Sequence, residues 1–274
     1  MESTPRLYDT LVHIVSQHQN WLDRRHLKTL AWMTVGLIQS GTTSLTAWAP
    51  SGHSRAVFAQ STVRRFARWL EHARIDVHAL DGPLLPQALA EWGTQVRYLA
   101  LDTSMLGDTS CLVRLSLVYR GRAVPIVWTV LAHPSSRVAY EVYTGLLDKV
   151  AALLPVRCTV VFTADRGFAD SQLRQQLTRL GWQWRIRIKG RLWIDRHGTR
   201  PCKVNRLPLS PGQALFWHHV TLTKLRYGPV HLALGRPIDS QEYWFVVSDE
   251  PTALKTFAEY GVFCRTPEKV YSRG

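Results

Sequence analysis

Tyr98-Leu99-Ala100-Leu101-Asp102 and Cys158-Thr159-Val160-Val161-Phe162-Thr163-Ala164-Asp165 share one form: a hydrophobic run that closes on an aspartate. Short apolar runs of this kind predict buried strands, and a carboxylate at such a place is costly unless something pairs with it. A divalent metal is a natural partner. The rest of the chain says what could share that metal. Lys and Arg number 34 against 20 acids, a net charge of +14 over 274 residues. That excess is an argument about partners rather than fold, and it favours a polyanion such as nucleic acid. An anionic membrane surface is the weaker alternative, because no basic amphipathic helix stands alone at a terminus.

Working outward from the two aspartates, strands are expected from Arg97 onward. Tyr98 to Asp102, Cys111 to Tyr119 and Ala123 to Leu131 form a meander, with a tight hairpin at Arg120-Gly121-Arg122. A helix from Ala139 to Leu154 carries Val142, Leu146, Leu147 and Val150 on one face and stops at Pro155. After the strand to Asp165 comes a helix from Asp170 to Leu180, capped by Asp170 or Ser171 and ended by Gly181. A fifth strand spans Trp182 to Lys189. Strand–strand–strand–helix–strand–helix–strand predicts an α/β protein with a mixed sheet flanked by helices. It is also the order of the ribonuclease H-like fold, in which the first and fourth strands are neighbours. That would bring Asp102 and Asp165 together.

Upstream, residues 1–90 are expected to be helical. Leu7, Leu11, Ile14 and Val15 recur at helical spacing, as do Leu27, Leu30, Ala31, Val35 and Ile38. Gly41-Thr42-Thr43-Ser44 and Pro50-Ser51-Gly52 break the pattern. In a helix from Arg55 to His72, Ala59, Val63, Phe66 and Leu70 form a core face, while Arg64, Arg65 and Arg68 fall largely away from it. Short-turned helices with Arg on the outer side suit a helix-turn-helix-like DNA contact. A solvated basic face on a bundle is the other reading. Downstream, Gly198, Pro201, Pro208, Pro211-Gly212, Gly228-Pro229 and Gly235 punctuate short β-rich runs. Tyr243 to Val247 resumes as a strand, and a last helix is expected from Thr252 to Tyr260.

Cys111, Cys158, Cys202 and Cys264 form no Cys-x-x-Cys pair and are expected to be reduced thiols. The N-terminus lacks a signal-peptide pattern, and the longest apolar stretch, Leu30 to Ile38, is about half of a membrane span. A cytoplasmic protein is expected, with no membrane.

Phosphodiester cleavage needs charge stabilised on both entering and leaving oxygens, which two magnesium ions roughly 4 Å apart provide when carboxylates hold them. Ala100 shares a face with Asp102 and leaves room beside it. Gly167 permits a sharp turn after Asp165, and Arg166 is placed for a phosphate contact. Leu99-Ala100-Leu101-Asp102-Thr103-Ser104, the hairpin Leu115 to Trp128, and Phe162-Thr163-Ala164-Asp165-Arg166-Gly167-Phe168 together resemble the DDE transposases of bacterial insertion sequences. The insertion-sequence-four family is the most similar. The resemblance implies a ribonuclease H-like catalytic domain with a β insertion, and a two-ion Mg2+ (or Mn2+) site. In it Asp102 and Asp165 are the first two catalytic, metal-binding acids. It also implies double-stranded DNA and transposon terminal inverted repeats as partners, a homodimer, and a bacterial, nucleoid-associated location. The implied divisions are a helical DNA-binding region over residues 1–90, a catalytic core over 91–190, an inserted β-rich subdomain over 191–240, and a last strand, helix and incomplete tail over 241–274.

The family's third acid lies in Tyr-x-x-Arg-x-x-x-Glu-x-x-x-x-x-x-Lys. Started at Tyr260, that register meets Phe263, Pro267 and Gly274, and none matches. Glu268 is one residue out, behind a proline that breaks helices. The expectation is that a frameshift or truncation removed the end of the catalytic domain and impaired it. Translating the downstream DNA and finding no Arg, Glu and Lys at that spacing would count against this.

In Trp182-Gln183-Trp184-Arg185-Ile186-Arg187-Ile188-Lys189 the period of two places Trp182, Trp184, Ile186 and Ile188 on one face. Arg185, Arg187 and Lys189 share the other, a basic ladder toward phosphate that Arg191 and Arg196 extend. An ordinary surface face is the alternative. Trp193, Trp217 and Trp244 could stack on an unpaired base or pack in a core. The histidines, His218-His219 included, show no ligand spacing. Three functions stay open: a transposase, a DNA-binding remnant or inhibitor without catalysis, and a ribonuclease H-like nuclease.

Overall fold

The computed structural model describes residues 4–17, 23–52, 58–76, 84–90, 96–155, 158–196, 199–222, 227–238 and 242–254. The expected helix after Thr252, Cys264, Glu268 and the signature positions near Tyr260 lie wholly or largely outside them. The chain divides into two compact units, Met1–Ala88 and Leu89–Gly274. Among the described residues no helix is long and apolar enough to cross a membrane.

The first unit holds α1 (Thr4–Gln17), α2 (Arg24–Ser40), α3 (Leu45–Trp48) and α4 (Ala59–Leu70). The Asp23 side chain caps α2 by accepting from the Arg25 N–H at 2.8 Å, and Gly41 ends it in the left-handed conformation at φ 65°. Met33, Trp48, Phe66 and Trp69 form the core. Both indoles are tethered as well as buried: Trp48 Nε1 donates to the Thr42 carbonyl at 2.6 Å and Trp69 Nε1 to the His26 carbonyl at 3.1 Å. A Cβ on Gly36 would stand 2.5 Å from the Trp48 Cβ, so glycine is what lets α3 approach α2. Ile38 and Leu70, given core positions by their spacing, are 56% and 55% exposed. Each lies in the last turn of its helix, beyond the core.

The helix α5 (Leu84–Ala90) spans the boundary between units. The second unit opens with β1 (Arg97–Leu106), β2 (Ser110–Tyr119) and β3 (Arg122–Ala132). The β2–β3 turn is a two-residue loop, Arg120 and Gly121 at φ 50° and 75°, with Tyr119 paired to Arg122. Positive φ at both residues matches the strands' twist. Ile126 is the extra residue of a bulge in β3, next to Pro125 on this edge strand. Then come α6 (Tyr140–Leu153), β4 (Val160–Ala164), α7 (Ser171–Arg179) and β5 (Gln183–Arg187). Asp170 caps α7, accepting from the Gln172 N–H at 2.7 Å.

β6 (Trp193–Arg196), β7 (Cys202–Lys203), β8 (Ala214–Leu222), β9 (Tyr227–Gly235) and β10 (Trp244–Ser248) complete one sheet. Its order is β3-β2-β1-β4-β5-β10-β9-β8-β6-β7. The pairs β1–β4 and β4–β5 are parallel, the others antiparallel. The fold is mixed α/β, a large mixed sheet with flanking helices, and the 3-2-1-4-5 half with its antiparallel meander is the ribonuclease H-like arrangement. Residues 191–240 supply β6 to β9, which join the same sheet because β9 pairs with β10 and β10 with β5.

Two faces of the sheet differ in kind. Leu99, Leu101, Val113, Leu115, Leu117, Phe162, Ala164, Trp184 and Ile186 share one face by their pairings and are all buried. The helices α6 and α7 pack on the sheet and bury Leu146, Leu147, Val150, Leu173 and Leu177. The opposite face carries Tyr98, Ala100, Asp102 and Arg114, half-buried. The acids stand on that second face.

Candidate active site across β1, β4 and β5

Asp102 does not close its strand. The hairpin prolongs β1 by four residues, because Thr103 to Leu106 pair with Ser110 to Val113. What ends at Leu101 is the parallel pairing with β4, whose last pair is Leu101 with Ala164. One step further along both strands stand Asp102 and Asp165. The Asp165 backbone is still extended, at φ −79° and ψ 173°. Adjacent parallel strands lie about 4.8 Å apart and opposed residues point to the same face. The two carboxylates therefore leave the sheet side by side.

The same row continues outward in both directions. Asp102 is paired across to Arg114 on β2, and Arg187 stands one step beyond the Ala164–Ile186 pair on β5, next to Asp165. The sequence across the sheet is Arg114, Asp102, Asp165, Arg187: two acids flanked by two arginines. Arg114 Nη2 donates to Asp102 Oδ2 at 2.9 Å, with both side chains about a quarter to a third exposed. Arg187 Nη1 stands 3.7 Å from Asp165 Oδ1, and its Nη2 lies 2.5 Å from Glu242 Oε1. Beneath the acids the preceding row holds Ala100, Thr163 and Arg185. The Thr163 hydroxyl donates to the Leu99 carbonyl at 3.0 Å and locks β4 to β1. Ala100 keeps the floor beside Asp102 small.

The expected basic ladder on β5 is not open along its length. β5 is an interior strand, with β4 and β10 along its two edges, and its central residues Trp184, Arg185 and Ile186 are buried. Arg185 is only 7% exposed, its guanidinium 5.9 Å from the Tyr98 ring centre. Arg187 is engaged by two carboxylates. Lys189 and Arg191, beyond the strand's end, are exposed, and so is Arg166 in the turn after Asp165. That turn is a short 3-10 segment, Arg166–Phe168, and Gly167 is not among the positive-φ glycines. In the first unit Arg64 and Arg68 are exposed, whereas Arg65 is half-buried with its guanidinium over the Phe66 ring. The three tryptophans singled out in the sequence each carry a cation over the ring: Lys203 on Trp193, Arg196 on Trp217 and Arg187 on Trp244.

Sequence reasoning missed Arg114 and Glu242. Arg114 could have been found by counting back from a turn at Gly107 (φ 64°), which fixes Asp102 opposite it. Nothing local marks Glu242, which meets Arg187 from 55 residues away. A histidine group was also missed. His231 on β9 is 7% exposed, its Nδ1 is 3.0 Å from that of His218, and the His219 ring stacks edge-on at 5.1 Å. Burial first, then the two neighbouring imidazoles, hold its pKa below the ordinary histidine value. Among the described residues no group of three His, Cys, Asp or Glu side chains could hold a metal ion.

Fold and site define a mixed α/β protein with two acids side by side on neighbouring parallel strands. No known protein family matches the chain, and no curated protein matches it. Among solved structures, one that it resembles is a cryo-EM structure of the piggyBac transposase synaptic complex with hairpin DNA. The identity is 10% and the TM-score 0.46, over 94% of this chain and 63% of that one. The chain thus spans less than two thirds of that protein's length, and a likeness of this order assigns neither family nor activity.

Proposed function

We propose that this chain is a transposase-type, DNA-acting protein whose Asp102 and Asp165 hold a divalent cation at the scissile phosphate. One observation carries the reading: the Leu101–Ala164 pairing sets the two aspartates next to each other on one face of the sheet. Their oxygens are hard donors suited to Mg2+ or Mn2+, which proteins often bind through one or two carboxylates together with substrate phosphates. When bound, such a cation would stabilise the charge that builds on phosphate oxygens during cleavage and strand transfer. Asp102 and Asp165 would orient it, and Ala100 would leave it space. Arg166, Lys189 and Arg191 would meet the DNA backbone, helped by the net charge of +14. Terminal inverted repeats as the sequence bound, the insertion-sequence-four kinship and a synaptic dimer belong to the same proposal. The test is nicking or end cleavage of element-end DNA with Mg2+, and its loss in Asp102→Asn with DNA binding retained. Cutting without preference for element ends would select a plain nuclease instead.

A second reading has its own support. Arg114 and Arg187 already accompany the two acids. This favours a DNA-binding remnant or an inhibitor of an intact transposase. It predicts gel-shift binding to element ends with no Mg2+-dependent cleavage, and no change in binding on Asp102→Asn.

A further inference from the structure

The two acids of the row are not accompanied equally. Asp102 has its arginine at 2.9 Å. Asp165, 55% exposed, has Arg187 at only 3.7 Å. The difference lies in what else grips Arg187. Its Nη2 is 2.5 Å from Glu242 Oε1 and donates to the Tyr243 carbonyl at 3.4 Å, and its guanidinium carbon stands 4.5 Å from the Trp244 ring centre. All three contacts come from residues 242–244, where the chain enters β10. Arg187 is itself only 11% exposed, so its charge has little solvent to turn to and must be shared between carboxylates.

We propose that Glu242 is a positioning residue that holds the Arg187 guanidinium back from Asp165 and so leaves that carboxylate open to a divalent cation. The inference rests on the reading of Asp102 and Asp165 as a cation site and adds what controls it. A guanidinium closed onto Asp165 would compete with the cation for the same oxygens, because both need the carboxylate's lone pairs. With Glu242 neutralised, the only carboxylate left to Arg187 among the contacts described above is Asp165. Glu242 thus acts through Arg187 rather than as a ligand.

The experiment measures Mn2+ binding to the purified full chain by electron paramagnetic resonance, with thermal melting as the control for folding. Glu242→Gln is expected to weaken Mn2+ binding roughly three- to fivefold, the scale of one exposed ion pair. Arg187→Gln is expected to tighten it by a similar factor, which keeps the test open should Glu242→Gln fold poorly. The double variant should match Arg187→Gln alone. If Glu242→Gln still weakens binding in the Arg187→Gln background, Glu242 is a direct ligand and the proposal is overturned. Unchanged affinity in Glu242→Gln also overturns it. No Mn2+ binding by the unaltered protein would instead remove the cation site itself, a distinguishable result.

Discussion

Asp102 on β1 and Arg114 on β2 are cross-strand partners, joined at 2.9 Å on the face of the sheet opposite Leu99, Leu101 and Leu115. Partly exposed pairs of this sort contribute about 1 kcal/mol or less. Asp102→Asn keeps a carbonyl for Arg114 to donate to, so its thermal midpoint should move by no more than about 4 °C. The proposed Mg2+-dependent cleavage should vanish in the same variant. A calorimetric scan beside a nicking assay checks both, and a large loss of stability would mean that the residue serves the fold.

Asp170 answers to two donors. It caps α7 through the Gln172 N–H at 2.7 Å, and its other oxygen receives the Tyr143 hydroxyl at 3.2 Å. Burial first, then this carboxylate, keeps the Tyr143 phenol well above its ordinary pKa. Asp170→Ala removes the cap and leaves a buried hydroxyl unpaired, a loss of about 2 kcal/mol. Asp170→Asn keeps an acceptor for the cap and should lose about half as much. Urea unfolding of the two variants separates the contributions, and equal losses would show that the cap is not what matters.

Gly36 sits inside α2, where alanine is normally the better helix former by about 1 kcal/mol. Packing reverses that sign here, because a methyl group would stand 2.5 Å from the Trp48 Cβ and 2.9 Å from its Cα. Those are backbone-proximal atoms that cannot swing aside. Gly36→Ala should therefore destabilise the protein by roughly 1–3 kcal/mol, the range for overpacked sites. A stabilised variant in chemical denaturation would show that α3 shifts freely.

The strands that bear the acids could be taken from local pattern, and the reason is physical. β1, β2, β4 and β5 are short apolar runs bounded by turns, and the Arg120-Gly121 turn announces its hairpin. Pairing between distant segments leaves no such local mark. The turns that punctuate the stretch after Gly190 are local signals, while its attachment to the sheet runs through the β9–β10 and β10–β5 ladders. The same limit hid Glu242 from Arg187. Period two correctly separated Trp184 and Ile186 from Arg185 and Arg187 but could not say that Arg185 would be buried. The alternation of Ala100 and Asp102 was readable, whereas the continuation of β1 past Asp102 depended on a turn three residues beyond Ser104.

His231 gives the protein a predicted acid sensitivity. Its folded pKa lies below the ordinary value of 6.5, through burial and the nearby His218 and His219. The unfolded chain therefore binds the proton more readily as pH falls through that value. Stability is full above about pH 6.5 and falls with pH below it. In urea titrations from pH 7.5 downward, His231→Gln should flatten this slope. An unchanged slope would assign the acid sensitivity elsewhere.

Lys189 and Arg191 follow β5 in sequence and are exposed, whereas Arg185 on the same strand is buried. If the proposed DNA contact is made by the exposed pair, each releases about one counterion on binding. Replacing both by alanine should lower the magnitude of the log affinity against log salt slope by about 2, with a similar loss on any DNA sequence. Loss confined to one sequence would instead mean contact with base edges. An unaltered slope would remove this end of β5 from the interface and leave Arg64 and Arg68 of the first unit as the next pair to replace, by the same measurement.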